Sequence, residues 1–401
     1  MRYLWVIGGG QLQIPLIEEA NALGLKTIVS DRNPECVARA FADLFVPLDI
    51  FDVGGHLTYL REHPELPIAG VLAAGIDAPE TMAAMNLQLG LKGVSPEAAD
   101  VTKNKHRFRQ RLAELGYPVP AFVTLTADDL EEKKGALAQL PYPVIVKPVN
   151  NSGSRDMKIF DAYGDALLAF IAGDLEKYPL LLVEECWQGV EQTVECLVDI
   201  EGTFQRGFIT DRVFTFEGGF PVETGLLHPT RLDGPTQETL YDLAEKLAAD
   251  LGIDVGAVKL DTIVTPKGPR VIEMTVRHSG GFDCQYLVPR STGKQILKAA
   301  VLTAIQEKFD PVLLQPTRHR FGQTASLWPE PGVVTEITGL EAAREVPGVE
   351  AIFLRYAVGE RVEPYIDCAK RAAFVIATGE SREAAAAAVE EALRLLKVRT
   401  R

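Results

Sequence analysis

Cysteine is scarce in this chain. The 401 residues hold five, Cys36, Cys186, Cys196, Cys284 and Cys368, with no CxxC spacing. An odd, scattered set fits a reducing cytosol and offers neither a disulfide framework nor a metal cluster. Long apolar runs are also missing. None approaches the ~18 residues of a membrane span. The opening MRYLWVIGGGQL has one basic residue and too short an apolar stretch for a signal peptide. A basic excess is absent: 41 Lys and Arg against 55 Asp and Glu leave a net charge of −14 with His neutral. That balance argues against nucleic acid or a membrane surface as the main partner, although a local cationic cluster can still hold phosphate. Internal repeats and low-complexity tails are lacking as well. With 47% apolar and 24% charged residues, the composition is that of a globular, cytoplasmic protein. At roughly 100–200 residues per domain, the length suggests two to four domains.

What the chain does have is strand–helix alternation. YLWVI (3–7) breaks at Gly8-Gly9-Gly10, and a helical pattern then runs to Gly24. TIVS ends at Asp31, and AGVLA (69–73) is followed by Pro79 and a helix to about Gly90. Such alternation predicts a parallel, doubly wound sheet over residues 1 to about 95. Ser95-Pro96 caps a helix, and KNKHRFRQRLAEL runs as a basic helical stretch to Gly116. Then the texture changes. VIVK (144–147), a Gly/Ser/Asn-rich loop, a returning MKIF and LLLVEE (180–185) predict one group of strands. Residues 190–200 and 204–211 alternate like an antiparallel pair, and strands are expected near 255–264 and 269–275. Helices are expected at about 235–251 and 292–308. The last unit has strands near 319–327, 350–355 and 371–377 and an Ala-rich helix begun by Ser381.

Two nucleotide readings arise. The first strand, three glycines and Asp31 resemble a dinucleotide fingerprint, which would make an NAD-using oxidoreductase. However, the motif runs Gly8-x-Gly10-x-x-Gln13, with Gln where close helix packing wants Gly. It reads as a tight turn able to touch a substrate. The second reading rests on a conjunction in residues 103–277. Cations must neutralise phosphates, a Gly-rich loop must cover them, an acid must hold the ribose, and carboxylates must carry a divalent cation. Lys105 opens the basic helix, and Lys147 ends a buried-looking strand, where an unpaired ammonium is costly. NNSGSR (150–155) can present successive N–H groups. Glu184, Glu185, Glu191, Asp261 and Glu273 stand at or near strand ends, and Arg277 precedes His278-Ser279-Gly280-Gly281. Singly, each reads as a solvated strand end or an ordinary hairpin; together they point to a triphosphate.

These stretches resemble the ATP-grasp enzymes, the group that contains biotin carboxylase, carbamoyl-phosphate synthetase and bacterial L-amino acid ligases. The resemblance covers essentially the whole chain and implies an α/β (α+β) fold. It implies an N-terminal pre-ATP-grasp domain over 1–103 and an ATP-grasp domain over 104–312. The small lid lobe would take about 118–187 and the large lobe about 188–312, with a C-terminal α+β domain over 313–401. KNKHRFRQRLAELGYPVP and VIVKPVNNSGSR imply that Lys105 and Lys147 contact phosphate, with Ser152, Gly153 and Ser154 closing over it. LLVEECWQGVEQTVE is similar to the family hinge. By that match Glu184 or Glu185 and the Cys186–Trp187 backbone meet adenine, and Glu191 meets the ribose. LDTI and VIEMTVR imply that Asp261 and Glu273, with Thr275, hold Mg2+ (Mn2+ as the substitute) and that Arg277 stabilises the transferring phosphoryl group. Two departures stand out: Thr275 replaces the usual Asn, and Asp156 replaces a usual loop Gly.

The resemblance also implies a reaction: an ATP-dependent carboxylate–amine ligase working through an acyl phosphate. An amino acid or dipeptide ligase is the instance favoured by the C-terminal unit. The acid would sit by Arg277 and the N–H groups of Ser279, Gly280 and Gly281. ETGLLHP (223–229) is similar to the stretch lining the amine side, so Glu223 would hold an ammonium and His228 would assist its proton, unless His228 is a structural loop residue. Small-molecule acids and amines are then the partners, and the branch suggests a homodimer. Two other classes stay open. VIGGGQL and VSDRNP are similar to N5-carboxyaminoimidazole ribonucleotide synthetase, a carboxyphosphate-using carboxylase, and Thr275 with Asp156 suits a non-catalytic nucleotide-binding regulator.

Overall fold

The computed structural model describes residues 2–365 and 370–401. Met1 and residues 366–369, which include Cys368, lie outside the described residues. The N-terminal unit is a four-stranded parallel sheet in the order β3-β2-β1-β4. Its strands are β1 (Tyr3–Ile7), β2 (Lys26–Ser30), β3 (Leu44–Val46) and β4 (Ile68–Leu72). Leu4 to Ile7 are all fully buried because helices pack on both faces, which is why the strand reads as a continuous apolar run. Helices Ile14–Ala22 and Pro79–Leu89 each take a proline in the first turn, and Gly90 closes the second in a left-handed turn (φ 67°). Strand β3 and helix Val53–Glu62 escaped the sequence reading; the strand has only three residues, and the helix carries a glycine pair.

The basic stretch expected as one helix is two, Pro96–Lys103 and Lys105–Glu114. Asn104 separates them with an extended backbone (ψ 108°), and its side chain accepts from Arg107 N, so it is the N-cap of the second helix. The break sends Lys103 and Lys105 in different directions.

A lid lobe follows, an antiparallel sheet in the order β5-β8-β6-β7. It comprises β5 (Phe122–Leu125), β6 (Val144–Pro148), β7 (Lys158–Phe160) and β8 (Leu181–Glu185). Leu125, Val144, Val146, Ile171, Leu181 and Val183 give it a core of its own.

The large lobe contributes β9 (Val190–Val198), β10 (Phe204–Glu217), β11 (Phe220–His228), β12 (Gly256–Thr265) and β13 (Gly268–Thr275). The remaining strands are β14 (Phe321–Leu327), β15 (Gly332–Thr338), β16 (Val349–Leu354), β17 (Arg361–Val362), β18 (Ala373–Gly379) and β19 (Lys397–Thr400). Here the structure adds something the sequence did not show. β14, β18 and β16 continue the large-lobe sheet, giving eight strands in the order β13-β12-β9-β10-β11-β14-β18-β16. The seam is β11 on β14, antiparallel from Gly225↔Ala325 to His228↔Gly322. Gly225 permits it, because a Cβ there would stand 2.2 Å from the Thr324 carbonyl oxygen. The helix expected at 292–308 is likewise broken, into Val288–Thr292 and Ile296–Ala304, by Gly293 at φ 78°. Among the described residues, no helix is long and apolar enough to cross a membrane.

The seam makes a prediction. Gly225→Ala should destabilise the protein by about 2 kcal/mol, an overpacking cost against rigid backbone. Urea denaturation checks this, and an unchanged midpoint would contradict the seam's closeness.

Candidate active site

A cavity of about 1030 Å3 opens between the lid lobe, the large sheet and the N-terminal unit. Its lid side is cationic. Lys147, next to last in β6, is 4% exposed and is ion-paired to Glu184 on the neighbouring β8. Arg109 faces the same carboxylate, with Nε and Nη2 donating to its two oxygens at 2.8 and 3.0 Å. Burial pushes the Glu184 carboxyl up, but Arg109 and Lys147 outweigh that and hold it at about 2. The structure therefore places Glu184 behind the cavity wall, as the counter-ion of two buried cations. Burial lowers the Lys147 ammonium despite Glu184. Lys105 donates to the Asn151 carbonyl at the start of the phosphate loop and faces Glu273 Oε1 at 3.5 Å.

Ser152, Gly153, Ser154 and Arg155 line the cavity. Gly153, Ser154 and Asp156 take left-handed backbones (φ 68°, 58° and 54°). Asp156 does not line the cavity; Tyr178 Oη and Asn151 Nδ2 donate to its carboxylate, which holds that charge within the lid. Cys186 and Trp187 also line the cavity, and burial pushes the Cys186 thiol up to about 11. Glu185 sits on the lid edge near Ala121 N and outside the cavity lining.

The floor is the pleated face of the large sheet. Lys259, Asp261 and Ile263 alternate along β12 toward the cavity. Asp261 stands opposite Glu273 on β13 and opposite Thr193 on β9. Arg212 from β10 takes three carboxylates at once: Glu191 at 3.0 Å, Glu223 at 2.8 Å and Asp261 at 3.2 Å. Burial raises Asp261, but Arg212 and Lys259 hold it at about 2. For Glu191, burial outweighs Arg212 and lifts the carboxyl to about 7. Burial also raises Glu223, yet Arg212 and Arg371 keep it below the usual range. The Thr275 hydroxyl is buried without a hydrogen-bond partner among the described residues. Two facing carboxylates and that hydroxyl are hard oxygen donors that fit Mg2+. Among the described residues, no group of three or more His, Cys, Asp or Glu could hold a metal ion. Phosphate oxygens would have to complete the shell.

Arg277 follows β13 and lines the cavity. Its Nη1 donates to the His278 carbonyl at 3.2 Å, and its Nε lies 3.9 Å from Asp77 Oδ1. Glu195 anchors the next two residues: His278 Nδ1 lies 2.8 Å from Oε1, and Ser279 N donates to Oε2 at 2.8 Å. Gly280 and Gly281 line the cavity beside Glu223.

His228 is not brought to the cavity. It ends β11 beyond Leu226, 5% exposed, with Nδ1 3.2 Å from the Ile209 carbonyl and its ring edge-on to Phe208. Burial, with help from Lys294, lowers its imidazole to about 4, so the ring is neutral. Sequence reasoning missed Asp77, Arg109, Glu195, Arg212, Lys259 and Arg371. Arg109 had a signal, since Lys105 and Arg109 are one helical turn apart on one face. The others are single charges in alternating strands or loops.

Two family models match the chain. The first is ATP-grasp domain, over residues 102–281, and the second is L-amino acid ligase C-terminal domain 2, over residues 326–401. An uncharacterized protein, y4rH, from Sinorhizobium fredii is 26% identical over 342 residues, covering 84% of this chain and 69% of that one. The carbamoyl phosphate synthase large chain of Rubrobacter xylanophilus is 27% identical over 303 residues, covering 72% of this chain and 27% of that one. The chain thus spans about a quarter of that synthase's length. Among solved structures, an L-amino acid ligase from Bacillus licheniformis superposes with a TM-score of 0.83 at 22% identity, covering 100% of this chain and 99% of that one. At that identity the likeness shows the fold.

The buried triad has a pH consequence. Glu184 is depressed from 4.5 to about 2, so its stabilisation is present above pH 4.5 and is lost as pH falls toward 2. Glu184→Gln, which leaves two buried cations unpaired, should cost about 3–5 kcal/mol at neutral pH. It should also flatten this acid limb. Urea denaturation from pH 3 to 7 checks both; an acid limb as steep as the wild type's would contradict the assignment.

Proposed function

We propose that this chain, an ATP-grasp ligase of the carboxylate–amine class with an L-amino acid ligase C-terminal domain, joins an amino acid or similar small carboxylate to an amine. ATP is spent to ADP and phosphate, and an acyl phosphate is the intermediate. The supporting observation is that one cavity carries a cationic roof and a carboxylate floor, with Arg277 in its lining.

In this reading Lys147, Lys105 and the N–H groups of residues 152–154 bind the phosphates. The Cys186–Trp187 backbone meets the adenine. Glu191 meets the ribose as a carboxyl that accepts or donates near neutral pH. Mg2+, held by Asp261, Glu273 and Thr275, would neutralise charge between phosphate oxygens. Arg277 and the N–H groups of Ser279, Gly280 and Gly281 bind and orient the substrate carboxylate. A carboxylate oxygen attacks the γ-phosphorus, and the bond to the bridging oxygen breaks to release ADP. The amine nitrogen then attacks the acyl carbon, phosphate leaves with its electron pair, and the nitrogen gives up a proton. Glu223, kept ionised by Arg212 and Arg371, holds an ammonium on the amine side. Protein nucleophiles are not required, and the thiols near the site are raised well above neutrality.

The test is ADP and phosphate release with Mg2+-ATP and pairwise panels of L-amino acids and small acids. Amino-acid-dependent release is expected, at least tenfold over ATP alone and abolished in Arg277→Ala. Silence across the panel with ATP bound would overturn the reading. Release that depends on bicarbonate would favour a carboxylase.

A further inference from the structure

The loop that follows β4 brings the N-terminal unit to the cavity beside Arg277. Gln13 Nε2 donates to the Ala74 carbonyl, fixing the loop that follows β4. Ala74 forms an isolated parallel bridge with His278, and Gly75 N donates to the His278 carbonyl at 3.0 Å. Gly75 has φ 67°, and a Cβ there would stand 2.6 Å from Leu12 Cδ1 and 3.3 Å from Gly280 Cα. Two residues on, Asp77 is 7% exposed and lines the cavity. Lys103 Nζ donates to its carboxylate at 2.9 Å and to its carbonyl at 3.0 Å. Its other carboxylate oxygen faces Arg277 Nε at 3.9 Å, and that Nε is buried with no hydrogen-bond partner among the described residues.

We propose that Asp77 is a positioning residue for the ligase reaction: it aims the Arg277 guanidinium and couples the N-terminal unit to phosphoryl transfer. This rests on the acyl-phosphate reading above. Among the described residues the guanidinium has one donor contact, Nη1 to the adjacent His278 carbonyl, which leaves rotation about that contact free. In this role the buried Asp77 carboxylate on the Nε side limits that freedom. Glu195 holds His278 and Ser279 from the opposite side, so the turn is clamped between two carboxylates from two units of the chain. The arrangement also accounts for the break at Asn104. Lys103 turns to Asp77, while Lys105, one helix later, serves the phosphate loop. A loss of aim of about 1 Å costs on the order of 100-fold in rate.

The experiment compares full-length wild type, Asp77→Asn and Asp77→Glu. Mg2+-ATP affinity is measured by calorimetry and turnover by ADP release with the active amino acid panel. Asp77→Asn should lower kcat between 10- and 100-fold with ATP affinity within twofold, and Asp77→Glu should recover part of that loss. Equal kcat in wild type and Asp77→Asn would overturn the proposal, as would a rate loss accompanied by an equal loss of ATP affinity. Hydrogen exchange read without substrate tests the clamp even if the wild type turns nothing over. Amides 277–281 should exchange at least tenfold faster in Asp77→Asn while amides 256–265 stay protected. Unchanged exchange at 277–281 would overturn the proposal whatever the reaction proves to be.

Discussion

Three carboxylates from three strands converge on the guanidinium of Arg212, and the floor of the cavity depends on that convergence. Without the cation, Glu191, Glu223 and Asp261 would stand as like charges on one face of β9, β11 and β12, which is unfavourable in a buried sheet face. With it, they share one cavity face. Arg212, Lys259 and Arg371 supply three positive charges against Glu191, Glu223, Asp261 and Glu273. The balance is −1 while Glu191 is ionised and zero when it is protonated. The roof is positive, because Glu184 neutralises only one of Lys147 and Arg109, and Lys105 adds to the remainder. A carboxylate floor suits a divalent cation and a positive roof suits phosphate. A magnesium–nucleotide complex matches both at once.

This layout also reinterprets the chain's net charge of −14. The global sign argues against polyanionic partners but says nothing about a cavity whose charges are sorted onto two walls. Burial makes the sorting effective, since fixed charges act over a few ångströms with little screening there.

Much of the fold was legible where elements are long and strongly patterned. The apolar run of β1, the Gly24 and Gly90 stops, the Ser95 and Ser381 caps and the hairpin of β12 and β13 all follow from local chemistry. Three features were not legible. Asn104 splits a stretch whose composition favours a single helix, since a cap is a tertiary choice of where to turn. The seam of β11 on β14 joins segments about 100 residues apart, and no local period reports it. Arg212 carries no motif because its role lies in what three other strands bring to it. The family motifs found Lys105, Lys147, Asp261, Glu273 and Arg277, which the structure gathers on one cavity. They also led to Glu184 and His228, which lie behind its wall. Motif resemblance ranks residues by chain position, whereas facing the cavity depends on how each strand is pleated and packed.

The measurement that most directly tests acyl-phosphate chemistry is isotope transfer. Amino acids labelled with 18O in the carboxylate are incubated with the protein, Mg2+-ATP and an unlabelled amine panel, and the released phosphate is analysed by mass. If a substrate oxygen attacks the γ-phosphorus, each phosphate released by ligation carries one 18O. Phosphate that contains no 18O, while ADP and ligated product accumulate, would contradict it.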